Sequence, residues 1–338
     1  MSRMLKVGHV APTLEDVARV AGVSRATVSR VVNGGELVAE KTSETVNRVI
    51  AQLGYHPNRA ARALVTRRTG AIAVIVPEAD ERVFTDPFFP QAYHGALQAF
   101  TDSDVQVVLA MAQPGDNASR MVRYLESGHV DGAIIVSHHG PGLARALART
   151  NQPVVFVGDP ETPGLSYVDV DQETAARTAT EYLLARGARR LAMITGPMDM
   201  AAARQRARGY ELAMGAAGLD SSLRAGGDFS TNGGAQAAER LLAQGRDFDG
   251  LFVANDLMAV GAIRVLTEAG RRVPDDIRVV GFDNSIAALQ TNPGLTTMTN
   301  PASDLARMAA EMLIGLLAGQ RPDSPVILSS ELVVRGSA

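Results

Sequence analysis

TLEDVARVAGVSRATVSRVVNG, residues 13–34, holds two short helical patterns joined at a tight glycine turn. Thr13 followed by Asp16 has the spacing of a capping box, in which hydroxyl and carboxylate take up free N–H groups of a first helical turn. Leu14, Val17, Ala18 and Ala21 then recur at helical spacing and form one apolar face. Gly22 suits the sharp turn, and Ser24 is placed to cap a second helix. In that helix Val28, Val31 and Val32 face inward, leaving Arg25, Ala26, Ser29, Arg30 and Asn33 outward. A small bundle needs only a narrow apolar stripe, so packing does not require the outward Arg, Ser and Asn. Two close-set helices with such a face fit the DNA major groove. A third helix is expected at about 41–53, striped by Val46, Val49, Ile50 and Leu53 and ended by Gly54.

A chain of 338 residues is too long for one ordinary core, so two or three domains are expected. Apolar residues make up 46% of it, yet no window holds the ~20 consecutive apolar residues of a membrane span. The N-terminal MSRMLKVGHVAPTLEDV lacks an apolar segment of signal-peptide length, so a cytoplasmic protein is expected. The absence of cysteine excludes disulfides, thiolate metal sites and cysteine nucleophiles. Net charge is −3, but residues 1–70 carry 11 Lys and Arg against 5 Asp and Glu, a balance of +6, and the remainder stands at −9. A basic head on an acidic body confines phosphate attraction to one end.

Residues 56–69 read as a hinge. Pro57 breaks what precedes it, Asn58 is a good cap, and Arg59-Ala60-Ala61-Arg62-Ala63-Leu64 is a strong but short helix former. Alone it is too short to be stable in water, so docking on DNA or on a partner chain must supply the missing stabilisation.

From residue 71 short apolar runs alternate with helical stretches. The runs are AIAVIV (71–76), VQVVLA (105–110), GAIIV (132–136), PVVFV (153–157), RLAMIT (190–195), LFVA (251–254) and IRVVGF (277–282). The helical stretches include 172–186, 199–217, 232–244 and 256–269. Such alternation predicts parallel sheets covered on both faces, and the number of units predicts two sheets with a ligand cleft at the C-terminal ends of their strands. Arg206 lies near the start of the helix after RLAMIT, Asn255 and Asp256 follow LFVA, and Asp283 and Asn284 follow IRVVGF. An Arg fork, an amide and a carboxylate on one cleft suit a ligand rich in hydroxyls or carbonyls. Asn and Asp after a strand also cap helices, and that role alone is expected of Asp256. Ser137-His138-His139-Gly140 follows the third run, so a histidine there could reach the ligand. Adjacent loop residues point apart and no H-x-x-x-H occurs, so no metal site is expected.

Residues 13–34, with YHPNRAARAL at 55–64, resemble the headpiece and hinge of the LacI/GalR (lac-repressor) family of bacterial transcription regulators. The resemblance implies an α/β protein: an all-α helix-turn-helix headpiece at 1–56, a hinge at 57–69, and a type-I periplasmic-binding-protein-like core at 70–338. That core would hold two doubly wound parallel-sheet subdomains, one of about 70–168 and 300–328, the other of about 169–299 and 329–338. The expected DNA contacts are Thr13, Ser24, Arg25, Ala26, Thr27, Ser29, Arg30 and Asn33 in the head and Asn58, Arg59, Ala61 and Leu64 in the hinge. Arg25 and Ala26 would set much of the operator preference, Ala26 fitting a thymine methyl. Leu64 would wedge between base steps in the minor groove. The resemblance further implies effector contacts at Arg206, Asn255 and Asp283, and a sugar-stacking ring at Phe229. Asp86-Pro87-Phe88-Phe89 resembles a common family segment; Phe88 and Phe89 either wall the cleft or pack in a core or dimer contact, and His138 is a further candidate. Two departures stand out: Ala39 replaces a frequent Ser cap, and Gly158-Asp159-Pro160 stands where an Asp-Arg pair is frequent.

The expected protein is a homodimer that reads near-palindromic double-stranded DNA, most simply as a repressor, under control of a small effector, with a sugar favoured. A nucleoside, purine or phosphorylated corepressor is the alternative. A solute-binding receptor shares the core fold, but the basic head and missing export signal argue against it. An enzyme is disfavoured because no Walker A loop, G-x-G-x-x-G turn or G-x-S-x-G elbow occurs, and no cofactor is expected. No heptad tail follows the last strand, so a coiled-coil tetramer is not expected.

Overall fold

The structure, a computed structural model, describes residues 12–32, 38–55, 68–111 and 118–338. Asn33, Asn58, Arg59, Ala61 and Leu64 lie outside the described residues. The chain divides into two compact units, Met1–Thr69 and Gly70–Ala338.

In the first unit Thr13 opens α1 (Leu14–Ala21) through a complete capping box, its hydroxyl oxygen accepting from Asp16 N at 3.3 Å while Thr13 N donates to Asp16 Oδ2 at 3.0 Å. Gly22 ends the helix at φ +66°, a left-handed conformation that side chains disfavour. Ser24 Oγ accepts from Thr27 N at 3.1 Å and opens α2 (Arg25–Val32). Ala39, without a side-chain cap, precedes α3 (Glu40–Leu53), which Gly54 closes. Val17, Ala18, Val28, Val46, Val49 and Tyr55 form the core of the three helices.

The second unit begins with β1 (Ala71–Val76), α4 (Asp80–Thr85), α5 (Phe88–Gln98), β2 (Gln106–Met111), α6 (Ala118–Glu126), β3 (Gly132–Val136), α7 (Gly142–Leu147), β4 (Val154–Val157) and β5 (Ser166–Val170). It continues through α8 (Gln172–Ala185), β6 (Leu191–Thr195), α9 (Ala201–Ala216), β7 (Arg224–Gly226), α10 (Thr231–Ala243), β8 (Gly250–Val253), α11 (Asp256–Glu268), β9 (Arg278–Asp283), α12 (Ala287–Gln290) and β10 (Thr296–Thr299). Last come α13 (Ala302–Leu317), β11 (Val326–Leu328) and β12 (Leu332–Val333). One sheet has the order β11-β5-β4-β3-β1-β2 and the other β12-β10-β9-β8-β6-β7. Neighbours are parallel except β12, which runs antiparallel to β10. The chain therefore passes between the sheets three times: after β5, after β10 and between β11 and β12.

Strand periodicity explains the two-sided cover. In β1, Ile72, Val74 and Val76 enter one apolar cluster with α5 and α13, whereas Ala73 and Ile75 enter another beneath α6 and α7. Helices pack closely where glycine permits. A Cβ at Gly209 of α9 would lie 2.1 Å from the Glu173 carbonyl oxygen of α8, so α8 and α9 touch along their backbones. That contact sets Gln172 beside Arg206, one turn before Gly209.

Candidate functional site

Between the two sheets of the Gly70–Ala338 unit lies a cleft at the C-terminal ends of the strands. Ser137 follows β3, Asp159 follows β4, Asn255 follows β8, Asp283 ends β9 and Asn300 follows β10; all five border the cleft. Ser137 (φ +64°), Phe229 (φ +67°) and Asp283 (φ +104°) adopt left-handed backbone there, a strain of the kind that concentrates at binding sites.

Arg206 projects from α9 into the floor of the cleft and is 4% exposed. Its Nε donates to Gln172 Oε1 at 2.8 Å and its Nη1 to the Ala254 carbonyl oxygen at 2.5 Å, while Nη2 stands 3.6 Å from Asp283 Oδ1. The guanidinium also lies over the Phe282 ring, 3.6 Å from its centroid. Burial raises the Asp283 carboxyl above the usual range, and the Arg206 charge opposes that rise. Asn300 Nδ2 donates to Asp283 Oδ1 at 3.0 Å. Asp169 accepts from Gln172 Nε2 and Val170 N, both at 2.8 Å, and burial lifts its carboxyl as well.

Asn255, rather than Asp256, caps α11: its side chain accepts from Met258 N at 2.9 Å and donates to the Phe229 carbonyl oxygen at 2.9 Å. Asp256 is fully buried instead. It accepts from Thr297 Oγ1 at 2.6 Å and Ser285 N at 2.7 Å, and burial, with the Asp283 charge second, raises its carboxyl. The expectation that Asp256 serves as the helix cap is corrected: the residue before it occupies the cap, which turns Asp256 inward. Phe229 is seated against Gly196, where a Cβ would come within 2.2 Å of the ring.

The opposite wall comes from the first sheet. His138 lines the cleft, packs edge-on to Phe156 at 5.3 Å, and is held by burial at a pKa of about 4, so it is neutral at pH 7 and both donates and accepts. Phe88 lines the cleft as well, but Phe89 is 3% exposed and belongs to the apolar core. Successive helical residues point about 100° apart, so the two rings cannot share a wall, and the cleft role expected of Phe89 is not what its position supports. Arg82, Asp86, Asp159, Asp169, Gln172 and Asn300 also line the cleft; Asp86 and Asp159 belong to the family-like segments noted in the sequence, whereas Arg82, Asp169, Gln172 and Asn300 carry no local signal.

Contacts across the mouth join the two walls. His139 Nε2 lies 3.2 Å from Glu78 Oε1 and its Nδ1 2.9 Å from Asp199 Oδ2, on the other wall. Gly140 N donates to the Asp199 carbonyl oxygen at 2.9 Å, Gln205 Nε2 to Asp159 Oδ2 at 3.2 Å, and Arg204 pairs with Glu161. Glu78's hydrogen bond raises the His139 pKa. Burial pushes Glu78 up, but His139, Arg82 and the Ser137 hydroxyl together hold it below the usual value.

In the first unit Arg25, Ala26 and Arg30 are exposed on α2, Thr27 and Ser29 are half-buried, and Arg25 Nε meets Glu15 Oε1 at 2.9 Å. Thr13 and Ser24 are engaged as caps. Among the described residues no His, Cys, Asp and Glu cluster could hold a metal ion, and no helix is long and apolar enough to cross a membrane.

The sequence profile "Bacterial regulatory proteins, lacI family" matches residues 13–58, and "Periplasmic binding protein-like domain" matches 180–338. The chain is 41% identical to the HTH-type transcriptional regulator CelR of Thermobifida fusca over 96% of its own length and 98% of the relative's. It is 34% identical to the ribose operon repressor of Escherichia coli K12, covering 89% and 92%. Among solved structures it is similar to a complex of the regulator CelR with cellobiose (39% identity, 97% and 100% covered, TM-score 0.75). It is similar too to a lac repressor dimer bound to operator and the anti-inducer ONPF (30% identity, 97% and 99% covered, TM-score 0.88).

Proposed function

The chain belongs to the lacI family of bacterial regulatory proteins, and from that membership we propose a repressor whose grip on its operator is released when a neutral sugar of the cellobiose kind fills the cleft. It is a DNA-binding transcriptional regulator, not an enzyme, and acts as a homodimer. Two-fold symmetry then asks for matching half-sites in the DNA. Arg25, Ala26, Thr27, Ser29 and Arg30 are the proposed readers in the described part of the head, with Thr13 and Ser24 fixing the helices that present them. Asn33 and the hinge residues Asn58, Arg59, Ala61 and Leu64 complete the proposed DNA contacts.

The observation that carries the sugar reading is the charge balance of the cleft. Among the described residues, Asp86, Asp159, Asp169 and Asp283 line it beside two cations, Arg82 and Arg206, both of which already face carboxylates. A phosphate would enter a site with no uncommitted positive charge, whereas hydroxyls can donate to the carboxylates and accept from the guanidinium, amide and imidazole groups. Phe229 and Phe88 supply ring faces for the apolar side of a pyranose. Arg206, Asn255, Asp283, Phe229, Phe88 and His138 are thus the proposed effector contacts. Cellobiose is the first candidate because a 39% identical relative is solved with it.

The test begins with selection of bound fragments from a random DNA pool and anisotropy titrations of the winner. Near-palindromic DNA should be selected, and millimolar cellobiose should weaken its binding about 10-fold or more, within the usual 1–3 kcal/mol of allosteric coupling. A response to glucose 6-phosphate or hypoxanthine, with none to cellobiose or other neutral sugars, would overturn the sugar reading.

A further inference from the structure

Arg82 enters the cleft wall from the short helix α4, and its guanidinium is fixed on three sides. Glu78 Oε1 accepts from Nη1 at 2.5 Å. The Phe89 ring centroid is 5.4 Å from the guanidinium carbon and that of Phe229, on the facing wall, is 5.0 Å away. Asp86 Oδ2 lies 3.9 Å from Nε, too far for a hydrogen bond. The Nε–H is buried and the protein offers it no acceptor. Asn300 shows the complementary feature: its Nδ2 is committed to Asp283, and its Oδ1 is buried without a donor. Both residues line the same cleft.

A buried donor or acceptor left unmade forfeits its hydration with no return, so native proteins seldom leave one without purpose. Here one unmet donor and one unmet acceptor belong to two residues that line a cleft already suited to hydroxyls. We infer that Arg82 and Asn300 are a matched pair of specificity-determining effector contacts, Arg82 Nε–H donating to one hydroxyl oxygen of the bound sugar and Asn300 Oδ1 accepting the proton of another. The inference rests on the sugar reading above. Arg82 couples it to closure, because its guanidinium packs on Phe229 of the opposite wall. A sugar held by Nε is held between the two sheets.

The test uses the full chain and calorimetric titration with cellobiose and its monodeoxy analogues. Arg82→Lys keeps the positive charge beside Glu78 but removes Nε, and Asn300→Ala removes the acceptor. Each substitution is expected to weaken cellobiose binding 10-fold or more. For each there should be one monodeoxy analogue, different for the two, that wild type and variant bind within about 2-fold of each other. A purely structural role would weaken all analogues by a common factor. That result, or unchanged cellobiose affinity in Arg82→Lys, overturns the inference while leaving the sugar reading intact. If the wild type binds another disaccharide instead, its deoxy series takes the place of cellobiose with the same outcomes. If it binds no sugar at all, both readings fall.

Discussion

Arg206 holds Gln172, the Ala254 carbonyl and the Asp283 carboxylate at once, so its loss leaves buried acceptors and a buried carboxylate without their cation. Removing one partner of such a buried pair costs about 3 kcal/mol or more. Arg206→Ala should therefore lower stability by about that amount at pH 7, measured by urea unfolding, and abolish the anisotropy response to cellobiose. The sign of the pH dependence follows from Asp283. Burial raises its carboxyl in the folded state, and without Arg206 it rises further, so falling pH neutralises the orphaned charge and the deficit should be smaller at pH 5 than at pH 7. Gly196 makes a sharper residue-scale test. A Cβ there would collide with the Phe229 ring at 2.2 Å, and the ring is buried with the Arg82 guanidinium carbon 5.0 Å from its centroid. Gly196→Ala should weaken sugar binding about 10-fold or more by calorimetry, with a smaller effect on melting temperature.

At the scale of elements, helix ends behave as local sequence chemistry dictates. Thr13 and Ser24 cap their helices, but Ala39 leaves the first turn of α3 without a side-chain acceptor. Ala39→Ser should stabilise the head by about 1 kcal/mol, seen as slower amide hydrogen exchange in residues 40–53. Strands were legible where composition matched burial: β1 and β3 coincide with the apolar runs AIAVIV and GAIIV. β10 (TTMT) and β5 (SYVDV) were not, because a polar sequence conceals their burial. Thr296 and Thr297 are fully buried, yet their hydroxyl oxygens are satisfied, one accepting from Arg335 N and the other donating to Asp256. A buried strand of hydroxyl residues becomes intelligible only when its partners, some forty residues away in the chain, are known.

For the molecule as a whole, the joined walls of the cleft decide how an effector signal is sent. His139 ties Glu78 of one wall to Asp199 of the other, and the groups facing it there are carboxylates. Its pKa is raised in this arrangement, so its contribution to closure is fully present below the ordinary histidine value near 6.5 and is lost as pH rises through the raised value. Closed molecules should therefore be more populated at pH 6 than at pH 8.5, read by fluorescence energy transfer between dyes on the two walls. His139→Gln should flatten that profile. His138, held near pKa 4, stays neutral across the range and should add nothing to it. A profile unchanged by the substitution would show that His139 does not carry the pH dependence of closure.

Sequence alone determined what depends on near neighbours: the capped helices of the head, the outward Arg25 and Arg30, the alternation of apolar strands with helices, and polar residues at strand ends. Periodicity and capping act over a few residues, so they are written locally. Tertiary structure alone decided which strand ends face one another. The passage of the chain between the sheets after β5 brings Gln172 to Arg206 and Asp199 to His139, and the parallel pairing of β10 with β9 brings Asn300 to Asp283. It also separated Phe88 from Phe89, and it gave Arg82 an unmet donor that no spacing in the sequence announces. Those outcomes depend on burial and on partners distant in the chain, and only the folded arrangement of both sheets specifies them.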